Sequence, residues 1–316
     1  MSSIFLVAYM NRSGSSFFFE QISKCSNVVV CLEAEVLIYE LLLEPRKKLS
    51  SKKINKIYKW IKTDKKLSSW GINISDLKGL ERSTYNVDAF ITILESYAQR
   101  VNSKAEFIFF KGTKLIDFFC KHQDVIKEYE FRSICIIRDP RAIYNAQSSS
   151  KISDTNIFFS TNPYSFAIEW NTYAKKVLKL EKGSKTELVF FEQLIGDAEK
   201  AANTFKNKFG LSIIGSNSGD YYKRLPASQI HLHKNITESP NKNRISAWIK
   251  ELNNIDADIV SCSTKGFRNR LNYSDYKVDR QLVLYVRYVL YFIKHYFKLM
   301  FRVLTKLIYK LLVLLI

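Results

Sequence analysis

Cysteine is scarce in this sequence, five in 316 residues, and no two stand as a Cys-x-x-Cys pair. Cys25, Cys31, Cys120, Cys135 and Cys262 are odd in number and mostly lie inside apolar runs. That excludes a disulfide frame and a cysteine metal site, and leaves reduced core thiols. His231 and His233, before Pro240, lack carboxylate or cysteine company, so no metal is expected. A GxxxxGK[ST] run is absent, which excludes a Walker A loop. No recognition helix or RNA-binding motif is legible, so nucleic acid is not an expected partner. Uninterrupted apolar runs are too short to span a bilayer. Met1 and Ser2 leave no room for a leader before the first apolar run, so the main domain is expected in the cytoplasm.

What is present is basic and globular. Hydrophobic residues make up 47% and aromatics 14%, enough for a sizeable core, most simply one α/β domain with an appendage. The formal charge of +19 calls for anionic partners such as a nucleotide, an acidic glycan or a membrane surface.

The stretch "SIFLVAYMNRSGSSFFFEQIS" (Ser3 to Ser23) opens on an apolar run, Ile4 to Val7, of the kind that forms a buried parallel strand. It breaks at a small polar turn and resumes with Phe17, Phe18, Phe19 and Ile22. Strand, glycine-containing polar loop and helix together aim free N–H groups at an anion. Gly14 permits close backbone approach. Ser15 and Ser16 can cap the helix and donate hydroxyls to phosphate, and Arg12 adds a cationic fork. An ordinary capped strand-to-helix turn would read the same way.

Further strands are expected at Val28 to Cys31, Ala105 to Phe110, Arg132 to Ile137 and Thr186 to Phe191. Helices are expected in the apolar stretch before Pro45, over Arg46 to Lys66, Asp88 to Val101 and Tyr164 to Lys182, and from Asp197 to Phe209, stopped by Gly210. Pro140 suits a first helical turn with Asp139 as N-cap. The basic Arg46–Lys66 segment is either a solvated face or a rim for an acidic substrate. Alternating strands and helices indicate a parallel sheet flanked by helices, with ligands at the carboxyl ends of its strands. Arg12, Lys111 and Arg138 each follow an apolar strand.

These residues resemble the sulfotransferase family, which moves a sulfuryl group from 3′-phosphoadenosine 5′-phosphosulfate to a hydroxyl or amine. The likeness is closest to its bacterial glycan and tyrosylprotein branches. "RSGSS" resembles the family's "RSGTT" loop, which implies that Arg12, Ser13, Gly14, Ser15, Ser16 and Phe17 hold the 5′-phosphosulfate. "IIRDPRAIYNAQ" resembles the second motif, which implies that Arg138 grips the 3′-phosphate. "FFEQLIGDAEKAANTFKNKFGL" resembles a structural strand–helix block. "SPNKNRISAWIKEL" resembles a basic loop before a tryptophan, adding Lys242 and Arg244 at the 3′ side. The likeness spans about Ile4 to Leu252 and implies a P-loop-like fold that needs no metal. Two positions depart: Tyr9 stands where the family has glycine, and Ala146 where a serine completes the 3′-phosphate contact. Ser149 and Ser150, on the same helical face, could substitute for that serine. Weaker cofactor binding is the other outcome.

In-line sulfuryl transfer needs donors that follow charge onto the bridging and equatorial oxygens, by analogy with phosphoryl transfer. The resemblance implies Arg12, the Ser15 and Ser16 hydroxyls and Lys111 for this. It also implies a base. Thr113 replaces the histidine of the small-molecule enzymes, and Glu33 falls at the tyrosylprotein enzyme's glutamate, with Glu35 the alternative. Both glutamates could instead merely favour a helix N-terminus. The implied activity is transfer to a hydroxyl of an acidic or neutral glycan or a lipid-linked acceptor. The rival is a non-catalytic nucleotide-binding protein at the membrane surface.

From Arg280 onward there is no acidic residue, and Arg280, Arg287, Lys294, Lys298, Arg302, Lys306 and Lys310 recur at steps of seven, seven and then four. On a helix these form one slowly drifting stripe among Leu, Val, Tyr, Phe and Ile. The pattern divides the chain into a domain over 1–278 and a basic amphipathic helix over 279–316. That helix is expected to lie on an anionic membrane, peripheral on its inner face, with roughly 1 kcal/mol per lysine from anionic lipid. A helix packed on the domain or in a dimer is the alternative.

Overall fold

The computed structural model describes residues 2–152, 155–196, 198–211, 219–226, 230, 241–273 and 281–314. Five strands form one all-parallel sheet: β1 (Ser3–Ala8), β2 (Val28–Val30), β3 (Phe107–Gly112), β4 (Arg132–Ile137) and β5 (Glu187–Phe190). Their order is β2-β3-β1-β4-β5, so β1 lies in the middle between β3 and β4. The chain leaves β1 for the far edge and returns beside it twice. The carboxyl ends of β1, β3 and β4 are thereby neighbours at a point where strand order reverses, where open parallel sheets bind ligands.

Phe5, Leu6, Val7 and Ala8 are completely buried, as a strand covered on both faces requires. Successive side chains of β3 go to opposite faces. Phe109 stacks on Phe5 at 4.3 Å and meets Phe18 and Phe209. Phe110 instead packs on Phe90 of the helix Asn86–Val101 and on Trp70. The helix Pro163–Gly183 is pinned to the sheet where the site begins, its Tyr173 hydroxyl lying 3.1 and 3.0 Å from the carbonyls of Ala8 and Ile136.

β4 has the expected limits, while β3 starts two residues later than Ala105 and runs on through Lys111 and Gly112, pairing Val7 with Lys111. Lys111 is therefore the end of a strand and not the first residue of a loop. The Arg46–Lys66 segment is helical only over Ser51–Thr63, capped by Ser50 and stopped where Asp64 turns extended. Glu35–Leu37 is one α-turn that passes into a π-turn at Ile38–Leu42. Asp139 caps the helix Pro140–Ser148 as expected, and Gly210 follows the helix Ala198–Phe209 with φ 72°. Asp197 lies outside the described residues, as do His231 and His233.

Candidate functional site

After β1 the chain makes two left-handed residues, Arg12 (φ 67°) and Gly14 (φ 92°), and enters the helix Ser15–Ile22. Gly14 is the N-cap and no side chain caps the helix, which corrects the capping role expected of Ser15 and Ser16. Their hydroxyls face Lys111 instead. The Lys111 ammonium donates to Ser16 Oγ at 3.0 Å and to Ser15 Oγ at 3.5 Å. It lies over the rings of Tyr9, Phe19 and Tyr221 at 5.1 to 5.3 Å and is 3% exposed. Aromatic faces replace water around the charge without neutralising it. Gly14 admits no side chain, because a Cβ there would stand 2.1 Å from the Phe191 ring.

Arg138 closes the other side of the loop. Its Nη1 donates to the Arg12 carbonyl at 2.9 Å and Nη2 to the Arg244 carbonyl at 3.3 Å, and its guanidinium lies 4.3 Å over Phe191. Burial, with Arg244 and Arg12 adding repulsion against the pull of Glu192 and Asp139, pushes Arg138 down to about 10. Burial and Arg244 also lower Arg12. The carboxylates near Arg138 are engaged elsewhere. Asp139 takes Arg141, whose guanidinium lies over Trp248, and Glu192 takes the Asp139 amide and the Tyr273 hydroxyl. Arg138 Nε and Ser13 Oγ are buried with no hydrogen-bond partner. Arg244 pairs with Glu251 at 3.1 Å, and cations gathered beside idle buried donors are an arrangement that can accept an anion.

Glu33 and Glu35 lie beyond Lys111, in different surroundings. Glu33 accepts from the Tyr9 hydroxyl through Oε1 and from Lys66 at 2.7 Å through Oε2, and its side chain keeps 20% exposure. Burial pushes its carboxyl up, but Lys66, Lys111 and the hydrogen bonds from Lys66 and Tyr9 outweigh it and hold the group below the ordinary value. Glu35 accepts from the Thr113 amide and hydroxyl at 2.9 and 3.0 Å through Oε1, while Oε2 is buried without a partner. Burial, aided by the charge of Glu33, raises Glu35 despite the Thr113 bonds. Tyr9 is raised well above 10 by burial and by the Glu33 charge and hydrogen bond, so it stays a donor.

Arg12, Ser13, Gly14, Ser15, Ser16, Lys111, Arg138 and Arg244 are thus one cluster, with Glu33 and Glu35 at its edge. Phe17 packs edge-on to Phe191 behind the loop. Lys242 is exposed at the start of the short helix Asn243–Ser246. Ser149 turns its hydroxyl back to the Asn145 carbonyl at 2.8 Å, so the structure does not gather it with Arg138. Ser150 follows at the carboxyl end of the helix Pro140–Ser148. Gln147 does reach the loop, donating to the Asn11 carbonyl at 2.8 Å. Sequence reasoning missed Lys66, Tyr221 and Phe191 and saw Tyr9 only as a departure. That departure was itself the available signal.

No family model matches the chain, and no curated protein matches it in sequence. Solved structures do. The sulfotransferase domain from the Synechococcus PCC 7002 olefin synthase aligns with a TM-score of 0.55 at 13% identity, covering 87% of this chain and 96% of that one. The sulfotransferase domain from the curacin biosynthetic pathway aligns at 0.52 and 13%, covering 86% and 98%. The fold is that of sulfotransferase domains. In this chain the loop after β1 and Arg138 after β4 lie side by side, joined by the bond from Arg138 to the Arg12 carbonyl.

Proposed function

We propose that the chain transfers a sulfuryl group from 3′-phosphoadenosine 5′-phosphosulfate to a hydroxyl of a glycan or glycolipid. The observation that carries this reading is the division of the cluster into two cationic stations. Lys111 with Arg12, Ser15 and Ser16 suits the 5′-phosphosulfate, as the loop's resemblance implies, and Arg138 with Arg244 suits the 3′-phosphate. Ser13 Oγ in the loop and Arg138 Nε beside it supply unused donors. Lys111 and the serine hydroxyls follow the charge that builds on the bridging oxygen as its bond to sulfur breaks. Glu33 takes the acceptor proton as the new oxygen–sulfur bond forms, because it is held ionised and keeps partial exposure, whereas the spare oxygen of Glu35 is buried. A polar acceptor is supported by the basic segment that leads into Lys66, since the helix Ser51–Thr63 exposes Lys52, Lys56, Lys59 and Lys62.

The test is titration calorimetry followed by transfer assays. The protein is expected to bind 3′,5′-adenosine bisphosphate more tightly than ATP and to label candidate glycans or glycolipids from a radioactive donor. ATP bound in preference would overturn the reading. Tight bisphosphate binding with no transfer to any acceptor would leave a nucleotide-binding protein.

A further inference from the structure

The helix Gln281–Leu314 is 34 residues long, about 50 Å, and its beginning packs on the domain. Leu284, Tyr288 and Tyr291 are half-buried against the helices Pro163–Gly183 and Asn254–Arg270. Asn171 Nδ2 donates to the Tyr288 hydroxyl at 3.0 Å, and the Tyr291 hydroxyl lies 2.7 Å from Ser165 Oγ with its ring stacked on Tyr164. At about 100° per residue, Val286, Ile293, Phe297 and Met300 point away from that seam, and all four are exposed.

Where the domain stops, the stripe takes over its side of the helix. Lys298 is exposed, and it continues the line of Leu284 and Tyr291, with positions 302 and 306 next in register. The side chains of Arg302, Lys306 and Lys310 lie outside the described residues. No acidic residue occurs from Arg280 onward. A protein partner of average composition would meet these cations with scattered charge of both signs. An anionic bilayer takes the apolar face into its interior while flanking cations such as Lys294 stay within reach of its headgroups. Among the described residues no helix is long and apolar enough to cross a membrane, so the fit is in the plane.

We propose that the outward face of this helix lies on an anionic lipid surface, with the domain seated on its opposite side. The inference is independent of sulfuryl transfer. The full chain is expected to pellet with phosphatidylglycerol-rich vesicles at low salt, and roughly tenfold or more weakly with phosphatidylcholine alone. Ile293→Glu with Met300→Glu, both exposed, is expected to cut pelleting by a similar factor while 3′,5′-adenosine bisphosphate binding stays unchanged. Lys294→Gln with Lys298→Gln is expected to weaken pelleting to anionic vesicles only. Failure to pellet with either vesicle overturns the proposal, as does equal binding to both. A dimer seen by light scattering that the apolar double variant dissociates, with no vesicle binding, would assign the face to a second copy instead.

Discussion

Lys111 and Lys298 carry the same ammonium and do opposite things with it. Lys111 is 3% exposed, touches two serine hydroxyls and sits among three aromatic rings, whereas Lys298 is exposed on the outer part of a long helix. Burial strips water from the first charge and fixes its direction, so it can distinguish one anion from another by shape. The second keeps its hydration and acts through the summed field of its neighbours, which salt screens within about 8–10 Å. The net charge of +19 therefore combines a buried cluster, suited to selecting an anion by shape, with exposed cations, suited to long-range attraction.

The sharpest break between them should come from the carboxylate beside the buried cluster. Glu33→Gln keeps the shape but cannot take a proton, and transfer is expected to fall by about 10²–10⁴-fold with donor affinity nearly unchanged. Glu35→Gln, whose bonds to Thr113 are structural, is expected to cost much less. A reversal of the two in a kinetic assay would move the base to Glu35.

Next in size, Arg138→Ala and Arg12→Ala are each expected to weaken 3′,5′-adenosine bisphosphate binding by about 1.5–3 kcal/mol, the scale of a charge-assisted hydrogen bond. Lys298→Gln is expected to leave it unchanged. Calorimetry finding equal losses from buried and exposed cations would show that the nucleotide feels only total charge.

Gly14→Ala tests the loop without removing charge. The added Cβ meets the Phe191 ring at 2.1 Å and must hold φ near 92°, so a loss of about 1–3 kcal/mol in stability is expected. Phe191→Leu in the same chain should return part of the melting temperature by making room. No recovery would place the cost in the backbone alone.

The strands, the parallel sheet and the cations at three strand ends were legible because buried strands are continuous apolar runs and the basic residues follow them directly. The loop was legible for the same reason, except that its serines turned to Lys111 rather than to the helix amides. That choice depends on β1 and β3 being neighbours, which spacing does not encode. Lys66 was not legible at all. It reaches Glu33 because Asp64 ends the preceding helix and accepts from the Lys66 and Leu67 amides at 3.1 and 2.8 Å, folding the basic segment back over the site. Ser149 was expected at the 3′ side on helical spacing, but a serine at a helix end bonds its own backbone more readily than a distant group.

The smallest effect concerns Tyr9, which stands where the resemblance implies glycine. Tyr9→Phe keeps the ring under the Lys111 ammonium and removes only the hydroxyl that donates to Glu33. Burial raises the Glu33 carboxyl, and Lys66, Lys111 and the bonds from Lys66 and Tyr9 lower it further than that. Losing one lowering contribution must move its pKa up. A base works above its pKa, so the acid limb of kcat/KM should shift to higher pH in the variant, with a change of only a few-fold near pH 7. Stability follows the same sign. A carboxylate depressed by folding contributes stability above its unfolded pKa, about 4.3, and loses it as pH falls through the folded value. The wild type should therefore hold that contribution to lower pH than Tyr9→Phe does. Lys66→Met removes two larger lowering contributions and should move both curves further in the same direction. An acid limb unmoved in Tyr9→Phe but moved in Lys66→Met would mean that the tyrosine only fills space, and that the ammonium alone keeps Glu33 ionised.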